Sequence, residues 1–339
     1  MRIASYNVEW FNSLFNKSGH MLADGEWSAR YDVTRGEQLT ALGIVFTALD
    51  ADAVMIIEAP DQNAPGATGR ALETFAGWAG LRARKTLIGF ASETQQEIAL
   101  LYDPDKLQAR HDPIGEENPK EAAVPRFDGK FEVDLDHDGE RELVNFSKPP
   151  LEIAARTSRG TEFRMIGAHL KSKAPHGAGN RDETMRIGIA NRRKQSAQAF
   201  WLRKRIDYHL DRGEPIMMMG DLNDGPGLDE FEDLFGRSTV EIVMGKGGMF
   251  ELHDPHAKQA VTQKIGPQHS SARFYLSHKK KYMQALLDYI MISSDLQAHG
   301  PEWRIWHPFD DPDCFKVPEL REALLTASDH FPVTIDIDI

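Results

Sequence analysis

A single cysteine, Cys314, among 339 residues allows no intramolecular disulfide and no cysteine cage for zinc. Its isolation fits a reducing compartment and leaves oxygen and imidazole groups as ligands for any metal. Long apolar runs are also missing. No stretch reaches the roughly 18 consecutive apolar residues of a membrane-spanning helix, and the opening MRIASYNVEW lacks a charged region followed by an apolar run, the pattern of a secretory signal. Both absences set the expectation of a cytoplasmic protein without a membrane span. Internal repeats and linker-like stretches are absent too, so residues 1–339 are expected to form one domain, although length alone would allow two. Nothing points to a protein partner. An excess of positive charge is also lacking: the net charge of −12 argues against a protein that coats nucleic acid, because neutralising phosphates takes clustered lysine and arginine.

What is present is an ordinary globular composition, 41% hydrophobic and 27% charged, with enough apolar material for a sizeable core. The charge is uneven. From Lys171 to Arg205 ten basic residues accompany two acidic ones, so the rest of the chain carries −20. Residues 111–142 hold eleven acids and four bases among prolines and glycines, which predicts a solvated acidic excursion.

Apolar patterning predicts strands interleaved with helices. RIASYNVEWF alternates as a strand delivering Asn7 near its end. Residues 35–50 have helical spacing and ADAVMIIE is a short apolar run, so a helix feeds a buried strand ending at Glu58. A helix around 68–79 follows, then the strand EIALLYDP, closed by the turn former Asp103-Pro104. Strands resume at Leu151–Ala155 and Phe163–His169. KSKAPHGAGN then leads into a helix of about 182–211, in which Ala199, Leu202, Ile206 and Leu210 form one apolar stripe, the remaining face is basic and Gly213 is the stop. PIMMM and ALLDYIMIS are further strands, with a weakly patterned stretch to about 281 between them, and the chain closes on ASDHFPVTIDI.

Polar residues recur where the apolar runs end: Asn7, Glu58, His169, Asp221 with Asn223, Asp288, and Asp329 with His330. Strand ends are where open sheets gather their sites, so residues remote in sequence can converge there. Singly, each has a plain structural reading: Asp and Asn form turns, Glu58 ends a strand, and His169 fits a core position. Asp288 is harder to dismiss, since a carboxylate between LL and YIMI is costly to bury without a partner.

The blocks SYNVEW, IIE, AHLKSK, GDLND, LDYIM and SDHFPV, spread over nearly the whole chain and in this order, resemble the endonuclease/exonuclease/phosphatase superfamily of metal-dependent phosphoesterases. The resemblance implies an α/β fold, a four-layer sandwich of two mixed β-sheets packed face to face with helices on both outer sides. It implies a divalent ion, Mg²⁺ with Mn²⁺ as the alternative, bound by Glu58 and Asp329 with Asn7 beside them. Hard oxygen ligands with few protein contacts suit Mg²⁺, which keeps waters and leaves room for substrate phosphate. It also implies that Asp288 orients His330, that Asp221 and Asn223 position the attacking water and a phosphate oxygen, and that His169 donates to the phosphate. Between His330 and Asp221 as the base, the ordinary pKa of histidine near 6.5 favours His330.

Three features depart from the family pattern. Ile57 stands where relatives often have Gln before the metal-binding Glu. The Glu that orients the central-strand His in some relatives could correspond to Glu97, or Gln96 could occupy that place. Asp134, Asp136, Asp138 and Gly139 imitate a calcium loop, but Asn145 stands at its twelfth position, so a surface turn is the preferred reading. For substrate, the basic segment starting just after His169, with Lys279 to Lys281, favours a nuclease acting on DNA or RNA. A small phosphate ester, such as an inositol phosphate or a phospholipid headgroup, is the alternative.

Overall fold

The computed structural model describes residues 1–62, 67–116, 124–135, 141–175, 177, 179–225, 236–262, 268–276 and 280–339. Much of the calcium-loop imitation, Asp136 to Gly139, and Lys279 of the three lysines Lys279 to Lys281 lie outside the described residues. Two mixed sheets face each other with helices outside. Glu302–Ile305 (β14), Val333–Asp336 (β15), Arg2–Asn7 (β1), Ala53–Ala59 (β2), Glu97–Tyr102 (β4) and Lys85–Ile88 (β3) lie in that order in the first sheet. Asp288–Ile292 (β13), Ile216–Asp221 (β10), Glu162–His169 (β9), Leu151–Thr157 (β8) and Leu107–His111 (β5) make the second. Pairs β1–β2 and β9–β10 run parallel; the other pairings within the two sheets are antiparallel. Two hairpins stand apart, Phe131–Val133 (β6) with Glu142–Val144 (β7), and Ala272–Leu276 (β11) with Lys281–Ala285 (β12).

Side chains on registered neighbours share a face of the sheet. Gly167 of β9 shows which face turns inward: a Cβ there would collide with Met55 of β2 and touch Ile98 of β4, so glycine permits the close approach of the two sheets. Two residues on, His169 therefore faces the first sheet, and Asp221 and Asp288 lie beside it in register across β9, β10 and β13. On the first sheet Asn7 pairs with Ile57, two residues beyond the inward Met55. Thus the end of the inter-sheet core is capped by polar residues from both sheets.

The outer face of the first sheet, with Ala4, Tyr6, Val54 and Ile56, is covered by Arg35–Leu49 (α1), Ala67–Trp78 (α2) and a helix at Pro318–Ala327, through Leu42, Phe46, Phe75 and Leu324. The capping box of Thr34 and Glu37 starts α1. Arg181–Leu210 (α3) and Thr239–Met244 (α4) lie on the second sheet, α3 burying Ala199, Leu202 and Ile206 as the stripe predicts. The weakly patterned stretch holds α4, Pro255–Thr262 (α5) and the hairpin β11–β12; Pro318–Ala327 is then α6. No helix among the described residues is long and apolar enough to cross a membrane.

Two expectations need correction. The acidic excursion is not wholly solvated: Phe127 and Phe131 are buried, and Phe131 stacks on Trp201 of α3 at 5.4 Å. A few aromatics suffice to dock an acidic loop, and average charge conceals them. Nor is the basic face of α3 free. Arg192 and Arg205 are 1% and 0% exposed. Arg205 pairs with buried Glu152, Arg192 and Lys173 with buried Asp224, Arg193 with Glu142, and Arg203 with Asp207 and three backbone carbonyls. The acids that meet this helix come from β7, β8 and the loop after β10, so several of its arginines face inward.

Candidate active site

Strand geometry brings the sequence-predicted residues together. Asn7, His169 and Asp221 each end a strand, Asp288 starts one, and Glu58 sits on a β-bulge between Ile57 and Ala59. Asn7, Glu58, His169, Asp221, Asn223, Asp329 and His330 all line one cavity of about 560 Å³ at this end of the sandwich. Asp288 lies behind His330. Glu58 and Asn223 have φ of 64° and 50°, and Trp10 beside them 59°, so left-handed backbone gathers where the cavity lies. Gly220 makes the Asp221 turn possible, since a Cβ at its φ of 133° would strike the carbonyl of Ala168.

His330 Nδ1 and Asp288 Oδ2 are 2.7 Å apart. The same oxygen accepts from Ser271 Oγ at 2.7 Å, and that hydroxyl in turn accepts the backbone N–H groups of Leu287 and Asp288. Ser271 escaped the sequence reading because nothing in SSARF marks it. Burial opposes a charge on His330, but Asp288, through charge and hydrogen bond, then Asp221 and Asp329, lift the imidazole well above its ordinary value. Burial, with Asp288 and Glu58 adding to it against His330 and the Asn223 N–H, raises Asp221 to about 7.

Asn7 Nδ2 donates to Asp221 Oδ2 at 3.0 Å. Its other side-chain atom, Oδ1, is buried without a hydrogen-bond partner among the described residues. Asn223 closes the turn, its N–H donating to Asp221 Oδ1 at 2.7 Å and its Nδ2 to the carbonyl of Leu170 at 3.1 Å. Ser328 joins the first strand to the last turn: its Oγ donates to the Asn7 carbonyl and accepts the N–H groups of Glu9 and His330.

The departures from the family pattern now have places. Ile57 is buried in the inter-sheet core, and Gln96, arriving from β4's leading edge, donates an amide hydrogen to Glu58. Glu97 turns away and accepts from the backbone of Gln62 and Ser92. Neither is hydrogen-bonded to His169 among the described residues, whereas Lys148 Nζ lies 3.2 Å from His169 Nδ1. Burial and, after it, the charges of Lys148 and His330 hold His169 well below its ordinary value. Glu9 also lines the cavity, paired with Arg30, and burial followed by the neighbouring Asp329 raises it to about 7. Lys148 and Glu9 were not singled out in the sequence; NVE following the first strand was the available signal for Glu9.

The profile of the endonuclease/exonuclease/phosphatase family matches residues 4–330. The chain belongs to that family. Its reaction class is therefore phosphoester hydrolysis, and the family depends on divalent metal. Solved structures of the same fold include TDP2 from Caenorhabditis elegans, with TM-score 0.51, 12% identity and coverage of 100% of this chain and 75% of that one. A family member from Bacteroides thetaiotaomicron gives TM-score 0.50 and 16% identity over 99% of this chain and 96% of its own. The 3′ phosphatase NExo from Neisseria, bound to a product DNA hairpin, gives TM-score 0.48 and 14% identity, each chain covered completely. No curated protein matches this family member in sequence.

Proposed function

We propose that this cleft hydrolyses phosphodiester bonds of nucleic acid with Mg²⁺, or Mn²⁺ in its place. The observation that carries the reading is the composition of the cavity wall, which sets carboxylates and Asn7 against Lys148, His169 and Lys171, with the aromatic side chains Trp10 and Phe274 at hand. A phosphate flanked by nucleosides needs all three: a metal, cationic donors, and faces for sugar or base. The residues fit the ion. Asn7 Oδ1 is orphaned and buried, and with Glu58 and Asp329 it completes a set of hard oxygen donors. Once bound, the ion supplies charge compensation for the phosphoryl oxygens and the leaving group.

The chain's own residues divide the remaining tasks. Asn223 and Asp221 orient the attacking water, and His169 donates to a non-bridging oxygen. For the base, the charge distribution moves the preference away from the sequence expectation. Asp221, raised to about 7, takes the water's proton, while His330, kept protonated by Asp288, donates to the phosphoryl group. Such positioned donors are the main expected catalytic contribution.

A small phosphate ester is the second reading, favoured by the engagement of the α3 arginines within the protein. Incubation with plasmid, single-stranded DNA, RNA, bis-p-nitrophenyl phosphate and small phosphomonoesters, with Mg²⁺ or chelator, separates the two. Metal-dependent cleavage of polynucleotide at rates well above those on monoesters is expected. Turnover of monoesters alone would replace the nuclease reading with the small-ester one.

A further inference from the structure

We infer that Lys148 is a positioning residue that fixes the ring proton of His169 on Nε2, making His169 a hydrogen-bond donor to the phosphoryl group and not a proton-transfer catalyst. The inference rests on the phosphoesterase reading of the cleft but on no particular substrate. Lys148 Nζ lies 3.2 Å from His169 Nδ1. Burial pulls the Lys148 amine down while Glu58 and Asp221 favour its charged form. As an ammonium it has three donors and no lone pair, so the ring nitrogen facing it is the acceptor and the single ring proton belongs to the other nitrogen. The far side of the ring leads to the same assignment. His169 Nε2 is 3.6 Å from Asp221 Oδ2 and 4.0 Å from Glu58 Oε1. A bare lone pair aimed at two carboxylates is repelled, whereas an N–H is attracted. The ring is 8% exposed, so little water reaches it to support another arrangement.

The sequence builds this placement. Lys148 precedes Pro149-Pro150, which bias its backbone away from helix and into the extended approach to β8. From there its side chain enters the cavity wall beside Ser147 and Lys171. A carboxylate at the same place would hold a proton on Nδ1 and favour the imidazolium. Lysine does the reverse, so His169 keeps one orientation of its hydrogen-bond donor throughout the reaction and gives no proton to the leaving oxygen.

The test is the tautomer of His169 in the full-length protein with ¹⁵N-labelled histidine, read by long-range proton–nitrogen correlation and assigned by the signals lost in His169→Gln. The expected result is a bare Nδ1 and a protonated Nε2, with no substrate needed. Lys148→Glu should move the proton to Nδ1, and Lys148→Met should mix the two forms. On bis-p-nitrophenyl phosphate, Lys148→Met should lower kcat by roughly tenfold or more, short of the hundredfold or greater loss when a donor is removed outright, with KM less affected. Lys148→Arg, also a donor without lone pairs, should restore both tautomer and kcat. A proton on Nδ1 in the parent protein, an unchanged tautomer in Lys148→Met, or a shifted tautomer with unchanged kcat would each overturn the inference. Absence of activity on polynucleotides would not, because the readouts use the free protein and a minimal diester.

Discussion

Asp288 and His330 stand 42 residues apart in sequence, yet one oxygen of Asp288 serves both the imidazole and Ser271. Ser271→Ala removes that donor and leaves the Leu287 and Asp288 N–H groups without their acceptor, at about 1–3 kcal/mol for buried unsatisfied groups. Chemical denaturation should show this loss, together with a lower kcat, because the carboxylate that orients His330 is no longer fixed on both sides. The roles proposed for Asp221 and His330 give a bell-shaped dependence of kcat/KM on pH. Rate should rise as Asp221, whose carboxyl burial raises, loses its proton and fall at more alkaline pH as His330 loses its own. Asp221→Asn should lower kcat by roughly 10²- to 10⁴-fold and abolish the acid limb. If His330→Gln removed the acid limb instead, the base would be His330, as its ordinary pKa suggested.

At the scale of elements, the strand ends were readable and the helix faces were not. Alternation in RIASYN and the apolar runs AVMII and PIMMM place Asn7, Glu58 and Asp221 at the ends of strands, because backbone pattern alone decides where a run stops. Ser271 and Lys148 lie outside such runs and carry no periodic signal. For α3, the stripe Ala199, Leu202, Ile206 identified the buried side, but whether an arginine next to that stripe reaches solvent depends on acids distant in sequence. Glu152 is 53 residues from Arg205, and both side chains are buried. Arg205→Met should therefore destabilise the fold by roughly 3–5 kcal/mol, since Glu152 is left as an unpaired buried carboxyl. Adding Glu152→Leu should recover most of the loss, measured as a double-mutant cycle in urea. If the single variant melted like the parent, the pair would not be holding α3 to the sheet. The same geometry decides which charges can be removed to test substrate binding. Neutralising Arg192 would disturb the Asp224 turn, so Lys171→Gln with Arg186→Gln, half-buried and exposed respectively, is the suitable pair. It should reduce the salt slope of DNA affinity by about one to two if those side chains meet phosphates. An unchanged slope would favour the small-ester reading.

At the scale of the whole molecule, the two sheets converge their polar ends on one cluster of acids, and folding in the absence of metal forces those acids together. Asp221 and Glu9 are both raised to about 7, from 3.8 and 4.5, chiefly by burial. A carboxyl raised in the folded state binds its proton more tightly there than in the unfolded chain, so its stabilising contribution is present at low pH and is lost as pH climbs from about 4 to about 7. His330 acts in the same direction. Its contribution is complete below the unfolded value near 6.5 and disappears as pH rises through its elevated folded value. Asp112, Glu214 and Asp311 work oppositely. Their values are depressed against burial by Arg164, His209 and Arg304, and their contribution is present above the ordinary carboxylate range and lost only in acid. Between pH 6 and 8 the raised groups weaken the fold as pH climbs, while the histidines that burial holds below their ordinary value, His111, His169, His209, His253, His256 and His307, strengthen it as the unfolded chain gives up its histidine protons. Mg²⁺ should raise the melting temperature more at pH 8 than at pH 6, because ligand carboxylates must lose their protons to bind it. In Glu58→Gln the metal-induced rise should shrink at both pH values, and titration calorimetry should show weaker Mg²⁺ binding. A metal-induced rise no larger at pH 8 than at pH 6, or a variant stabilised by Mg²⁺ as strongly as the parent, would mean that the acids at the end of the sandwich do not share one ion.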